Sequence, residues 1–425
     1  MDFKQIYLPW GDDSLLCEIP LKNLGEILSP NTRPPLADLD GAIGRALDAP
    51  IGLAPMPQWI KAGNKVLIIS DDVTRLTPVY RILPPLLYRL NQLGVKDADI
   101  TVLMALGTHR YMTEAEMKAK VGPVVYKRVR VVNHLWREKD TLVELGRTSL
   151  GTPLAVNRLL LESDVVIGLG AIVPHHIPGY SGGSKIIQPG VCGPKTTAET
   201  HLLSCEGGGD SFIGQLDNPV RRDMDEMAAK VDLKAIFNVV MDQKGAPLGV
   251  FFGHYQAAFR EGAALARQVY GVPYNIVPDI VLANSHPCEI DFWQAHKALY
   301  PAQMMVKPGG VIIAATPCPE GISPVHTDLV NFTSWSSREI KDAYRSGRLK
   351  NGVAAALAIA WAQVREKARI ITYSPGLSAE EKLALGHTDA PDLAFAIKEA
   401  LADQGPDAVI SVLTHAPEML PFRAE

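Results

Sequence analysis

The chain has 425 residues, 47% hydrophobic and 21% charged, with a formal net charge of −4; it is long enough for two domains with large cores, and it offers nucleic acid no global basic field. Its five cysteines, Cys17, Cys192, Cys205, Cys288 and Cys318, are odd in number, scattered and without a CxxC pair, which argues against a disulfide framework or a thiolate zinc site and suits a reducing cytoplasm. No run approaches the ~20 apolar residues of a membrane span, and the acidic opening MDFKQIYLPWGDD lacks a signal-peptide pattern, so a cytoplasmic enzyme is expected.

In chain order, KVLIIS (65–70) is the first strand pattern and runs into DDVTRLTP. PVYRILPPLLYRLNQLG (78–94) carries apolar residues at helical spacing and ends on Gly94, with Pro84 and Pro85 predicting a kink or a late start. ITVLMALG (100–107) runs into THRYMTEAE, where Thr113 and Glu116 form a capping-box pattern. DVVIGLGAIV (164–173) leads into PHHIPGYSGG. After the Gly- and Pro-marked stretch near 270–278 come DIVLANS (279–285), GGVIIAATP (309–317), RIITYS (369–374) and AVISVLT (408–414). Short apolar, β-branched runs read as strands buried on both faces, and their alternation with helices predicts an α/β chain. The expectation is two domains with mainly parallel sheets flanked by helices and an active site in the cleft between them. Residues 1–272 would form the first domain and 273–400 the second, with 401–425 packing back on either.

Ligands of such sheets sit beyond the carboxyl ends of strands, and the unusual polar residues cluster there. In DDVTR (71–75), Asp72 and Arg75 suit a carboxylate or phosphate; equally, an aspartate there caps the next helix and Arg75 is a solvated ion-pair partner. In GTHR (107–110), His109 occupies a catalytic position or is a surface histidine. PHHIPGYSGGSK (174–185) combines His175 and His176 with Gly179, Gly182 and Gly183, which permit positive φ, and with Lys185. It is not a phosphate loop of the GxxxxGK[ST] type, although an anion nest remains open. His201 alone cannot hold a catalytic zinc. FWQAHKALY (292–300) reads as a helix capped by Asp291, with Trp293 and Lys297 on one face and Gln294 beside them.

Together SDDVTR (70–75), LGTHR (106–110), PHHIPGYSGGSKIIQPG (174–190), His201 and WQAHK (293–297) resemble the nickel-dependent lactate racemase family. That resemblance implies a nickel-pincer nucleotide, a pyridinium mononucleotide holding nickel through sulfur, carbon and sulfur. Lys185 would tether it covalently and His201 would be the metal's protein ligand. Gly182 and Gly183 would let the backbone approach it. His109 and His175 would be the acid/base pair. Arg75 and Lys297 would hold the substrate carboxylate, Asp72 would orient His109, and Gln294 would line the pocket. The implied activity is racemisation or epimerisation at C2 of a 2-hydroxy acid, with the proteins that make the cofactor as transient partners and neither nucleic acid nor membrane involved. The chain departs from the family at Trp293, where the family has a tyrosine, at His296, and in the Ala-rich NGVAAALAIAW (351–361). These departures imply a reshaped pocket and a substrate larger than lactate. Two other readings are a phosphotransferase that uses the glycine turn and a non-catalytic binder of a hydroxy acid or the cofactor.

Overall fold

The computed structural model describes residues 2–206 and 211–424. Two six-stranded sheets organise them. The first runs, edge to edge, Pro247–Gly253, Leu233–Met241, Val165–Ala171, Val66–Asp71, Ile100–Ala105 and Arg130–Asn133. Its pairs are parallel except the one between Leu233–Met241 and Pro247–Gly253. The second runs Thr388–Ala390, Arg369–Tyr373, Val311–Ala315, Ile280–Asn284, Ile410–Leu413 and Leu24–Leu28, parallel throughout. The expected α/β class is observed.

Alternation along each strand explains why both faces are covered. Val66 and Ile68 pack into one core with the helix Val79–Gln92; Leu67 and Ile69 pack into another with the helix Tyr255–Tyr270. In the second sheet, Val281 and Ala283 face the helix Gly352–Lys367, while Ile280 and Leu282 face the helix Leu393–Gln404 and the N-terminal hairpin.

Three details differ from the sequence reading. The helix Val79–Gln92 passes through Pro84 and Pro85 without a late start. Ile82, Leu83, Leu86, Leu87 and Leu90 are all fully buried; at roughly 1.5–3 kcal/mol per such side chain, their burial outweighs about 3 kcal/mol per interior proline. The strand Leu24–Leu28 lies in the second sheet beside Ile410–Leu413, although it precedes residue 272. The hairpin Phe3–Trp10 and Asp13–Pro20 buries Ile6, Leu8, Cys17 and Ile19 in the same core, so the first 28 residues side with the later half of the chain. At the other end, Leu420–Arg423 pairs with Gly271–Tyr274.

Candidate active site

Strand ends deliver the polar loops to one place. Val66–Asp71 leads to Asp72 and Arg75, Ile100–Ala105 to His109, and Val165–Ala171 to His175. The later half contributes Trp293, Gln294 and Lys297 from the helical segment that follows Ile280–Asn284. One cavity is lined by all of these together with Gly182, Lys185 and His201. Gly183 does not line it.

His109 is held at both ring nitrogens. Its Nδ1 lies 2.6 Å from Asp72 Oδ2 and its Nε2 lies 3.2 Å from the Gln294 amide nitrogen. The Gln294 oxygen accepts from Arg75 Nη1 at 3.4 Å and from Lys297 Nζ, which leaves the NH2 group for His109. Neutral His109 therefore carries its proton on Nδ1 and presents a lone pair at Nε2. Burial alone would raise the Asp72 carboxyl; His109, Arg75 and Thr74 outweigh it and hold the group far below the usual carboxylate range. Asp72 spends its other oxygen on the Thr74 N–H and hydroxyl, and no side chain caps the helix starting at Val79. The capping reading of this loop is thereby excluded.

The turn after Val165–Ala171 is a tight hairpin, Pro174–His175 against Gly179–Tyr180, followed by a 3-10 turn over Gly183–Ile186. Gly179, Gly182 and Gly183 all have positive φ. A Cβ on Gly182 would come 2.6 Å from Ile172 Cγ1 and 2.7 Å from Asn238 Oδ1, so only glycine fits there. Asn238 accepts the Gly183 N–H at 2.8 Å, and that amide is not free for an anion nest. Arg221 braces the turn from behind, donating to the Gly182 and Tyr180 carbonyls with its guanidinium over Phe259 at 4.2 Å.

His175 differs from His109. Its Nδ1 accepts the Ile177 N–H at 3.2 Å, so the neutral ring bears its proton on Nε2. Burial, then the charges of Lys185 and His176, push its pKa well below the ordinary value.

Lys185 and His201 suit a covalently held, metal-bearing group. Burial, then Arg75 and Lys297, depress the Lys185 amine well below its usual value, leaving more of it as the nucleophilic free base. No described residue forms a hydrogen bond or ion pair with that amine. His201, on the helix Pro194–Ser204, has Nδ1 buried without a well-formed hydrogen bond, and burial followed by the Lys185 charge lowers its pKa to about 3. It is neutral across the physiological range, as a metal ligand must be. Among the described residues no three His, Cys, Asp or Glu side chains converge as a metal-binding set. A metal here would take most of its donors from a non-protein group.

Arg75, Lys185 and Lys297 concentrate positive charge in a desolvated space. Burial, then Arg75, lowers Lys297 to about 8. A carboxylate bound by this pair should hold its affinity below pH 8 and lose it above, by up to about tenfold per unit as the ammonium deprotonates. Calorimetric titration of the unloaded protein with oxamate, from about pH 6.5 to about 9.5, measures this. A flat profile would remove Lys297 from the anchor.

The family described as lactate racemase N-terminal domain matches residues 10–210. The lactate racemase of Thermoanaerobacterium thermosaccharolyticum is 30% identical over 322 residues, 74% of this chain and 75% of that protein. The lactate racemase of Lactiplantibacillus plantarum is 30% identical over 282 residues, 66% of each. The solved structure of the Thermoanaerobacterium thermosaccharolyticum lactate racemase apoprotein superposes with a TM-score of 0.88 at 26% identity, covering 99% of this chain and all of that one. The chain belongs to the lactate racemase family. A Thermotoga maritima protein, at TM-score 0.74 and 20% identity over 91% of this chain and 98% of its own, shares the fold.

Within that family frame, the structure adds residues that the sequence left unread. Trp293 stacks on His326 at 4.1 Å, and His326 in turn on Trp136 at 6.5 Å. His326 sits in a loop with no motif, so nothing in the sequence marked it. Asn238 stands out as the polar residue within the otherwise apolar run from Ala235 to Met241. His176 stacks between His175 at 4.8 Å and Tyr300 at 3.9 Å, with both ring nitrogens buried and unpaired. His296 bonds Tyr300 through Nδ1 at 2.9 Å and also lines the cavity. Trp361 is fully buried against Phe292 and His296 and does not line it.

Proposed function

We propose that the chain is a racemase or epimerase that inverts C2 of a 2-hydroxy acid larger than lactate. The observation that best supports this is the convergence of His109 and His175 with Lys185 and His201 on one cavity. The cofactor of this reading is the nickel-pincer nucleotide, which Lys185 would tether, the Gly182 backbone would approach and His201 would ligate, Gly183 being turned away to Asn238; when bound it would supply a two-electron acceptor and donor at C2.

The chain's residues do the rest. Arg75 and Lys297 hold the substrate carboxylate, and Gln294 ties that pair to His109. His109 Nε2 takes the hydroxyl proton, and Asp72 stabilises the imidazolium that results. Inversion needs a second proton carrier on the opposite face, which is the role of His175. To act as an acid His175 must first gain a proton. Burial is the main barrier to this; acylation of Lys185 removes one of the opposing charges, the substrate carboxylate favours protonation further, and the Ile177 N–H contact at 3.2 Å opens as Nδ1 is protonated. Trp293 and His296 line the cavity where the family pattern differs, so its walls are not those of a lactate enzyme.

The test is to produce the chain together with the cofactor-synthesis proteins, then measure intact mass, nickel content and racemisation of a panel of single-enantiomer 2-hydroxy acids. The expected result is an added mass on Lys185, about one nickel per chain and inversion of at least one panel member. An unmodified, nickel-free chain under those conditions rejects the reading.

A further inference from the structure

A second chamber adjoins the acid/base site. It shares Arg75, His175, Gln294 and Lys297 with the first cavity, whereas Lys185 and His201 line only the first. The rest of its wall is largely apolar, including Val173, Pro174, Met241, Pro287 and Ile290. One acid interrupts that wall. Glu418 ends the 3-10 turn Ala416–Glu418, where Leu420–Arg423 brings the chain back beside Gly271–Tyr274. It is only 8% exposed, and its Oε2 is enclosed without a hydrogen-bond partner. No described residue forms a hydrogen bond or ion pair with the carboxyl.

We propose that this chamber receives the side chain of the 2-hydroxy acid and that Glu418 selects a chain bearing a further hydroxyl group; the proposal rests on the racemase reading above. A buried acceptor without a partner favours a ligand that brings a donor. A second carboxylate would face Glu418 as a like charge, with Arg75 and Lys297 already engaged by the C1 carboxylate. An ammonium would share the chamber with those same two cations. A neutral hydroxyl meets neither penalty, and the apolar wall accommodates the carbons that carry it. Burial raises the Glu418 carboxyl to about 7 against the pull of His286 and Arg75, so near neutrality it can accept from the hydroxyl or donate to it.

Three four-carbon acids separate the possibilities: single enantiomers of 2-hydroxybutanoate, 2,4-dihydroxybutanoate and malate, assayed on the cofactor-loaded full chain. Sites built to bond a substrate hydroxyl discriminate strongly against the analogue lacking it. We expect kcat/KM for 2,4-dihydroxybutanoate to exceed that for 2-hydroxybutanoate by at least about 30-fold, with malate the poorest. Glu418→Leu should collapse the ratio to within about threefold. Glu418→Gln, which keeps an acceptor and the shape, should retain most of it and controls for misfolding. Equal rates for the first two acids in the wild type, a preference for malate, or an unchanged ratio in Glu418→Leu overturns the proposal while leaving the racemase reading intact. Turnover of no 2-hydroxy acid by nickel-loaded protein removes both.

Discussion

Replacing Lys185 with methionine is expected to abolish cofactor retention and racemisation while raising the stability of the unloaded protein. The two effects have one cause. Lys185 sits desolvated beside Arg75 and Lys297, and no described residue pairs with its amine. Its ammonium therefore destabilises the fold, and methionine of similar volume removes the charge while filling the space. The sign with pH follows from the depressed pKa. Between the folded-state value and the ordinary 10.5, the unfolded chain binds the extra proton, so wild-type stability from this group rises with pH across that window. The advantage of Lys185→Met should be largest near neutrality and shrink as pH approaches about 10. Intact mass and nickel content of co-produced protein read the first effect, and thermal unfolding of unloaded protein at several pH values reads the second. A variant that keeps the added mass and nickel would remove Lys185 as the tether. A variant no more stable than wild type would show that the amine is solvated, against the burial on which its nucleophilicity rests.

How far these features were legible in the sequence depended on whether their cause was local. The strands KVLIIS, ITVLMALG and DVVIGLGAIV were readable because a strand buried on both faces must be continuously apolar. The caps at Thr113 and Asp291 were readable because capping is a contact three residues long. The late start expected at Pro84 and Pro85 does not occur, because the helix draws its stability from tertiary burial of one leucine-rich face, which local propensity does not register. The N-terminal strand Leu24–Leu28 went unread for the same reason. It exists to cover the edge at Ile410–Leu413, some 385 residues away, and only that partner gives it meaning. The site divides the same way. Asp72, His109, His175, Lys185 and His201 were found through motif order, and the structure places all of them on one cavity. The tautomer of each histidine was not legible, because it is set by Gln294 and Ile177 in three dimensions. Glu418 had no motif at all; its interest lies wholly in what surrounds it.

Those tautomers lead to the second large effect, a split between the enantiomers when either histidine is removed. In racemisation the kcat/KM values of the two directions are bound together by an equilibrium constant of one, so steady-state rates cannot say which histidine serves which face. His109→Asn and His175→Asn should each lower racemisation by roughly 10²- to 10⁴-fold, the usual worth of a positioned acid or base, equally in both directions. A single turnover with enzyme in excess breaks the symmetry. Loss of the hydroxyl proton and of hydride from C2 leaves the 2-keto acid, and this needs only the histidine on the starting face. His175→Asn should form bound 2-keto acid from one enantiomer, and His109→Asn from the other. The wild type should form it from both, faster from the enantiomer facing His109, whose imidazolium Asp72 stabilises through Nδ1 at 2.6 Å. The slower face relies on His175, whose Nδ1 must release the Ile177 N–H before it can take the hydroxyl proton. Acid-quenched samples assayed for 2-keto acid decide the matter. If either single variant produced keto acid equally well from both enantiomers, the two histidines would not be partitioned between faces, and the acid/base pair would have to be sought elsewhere in the cavity, beginning with the neutral His176 and His296.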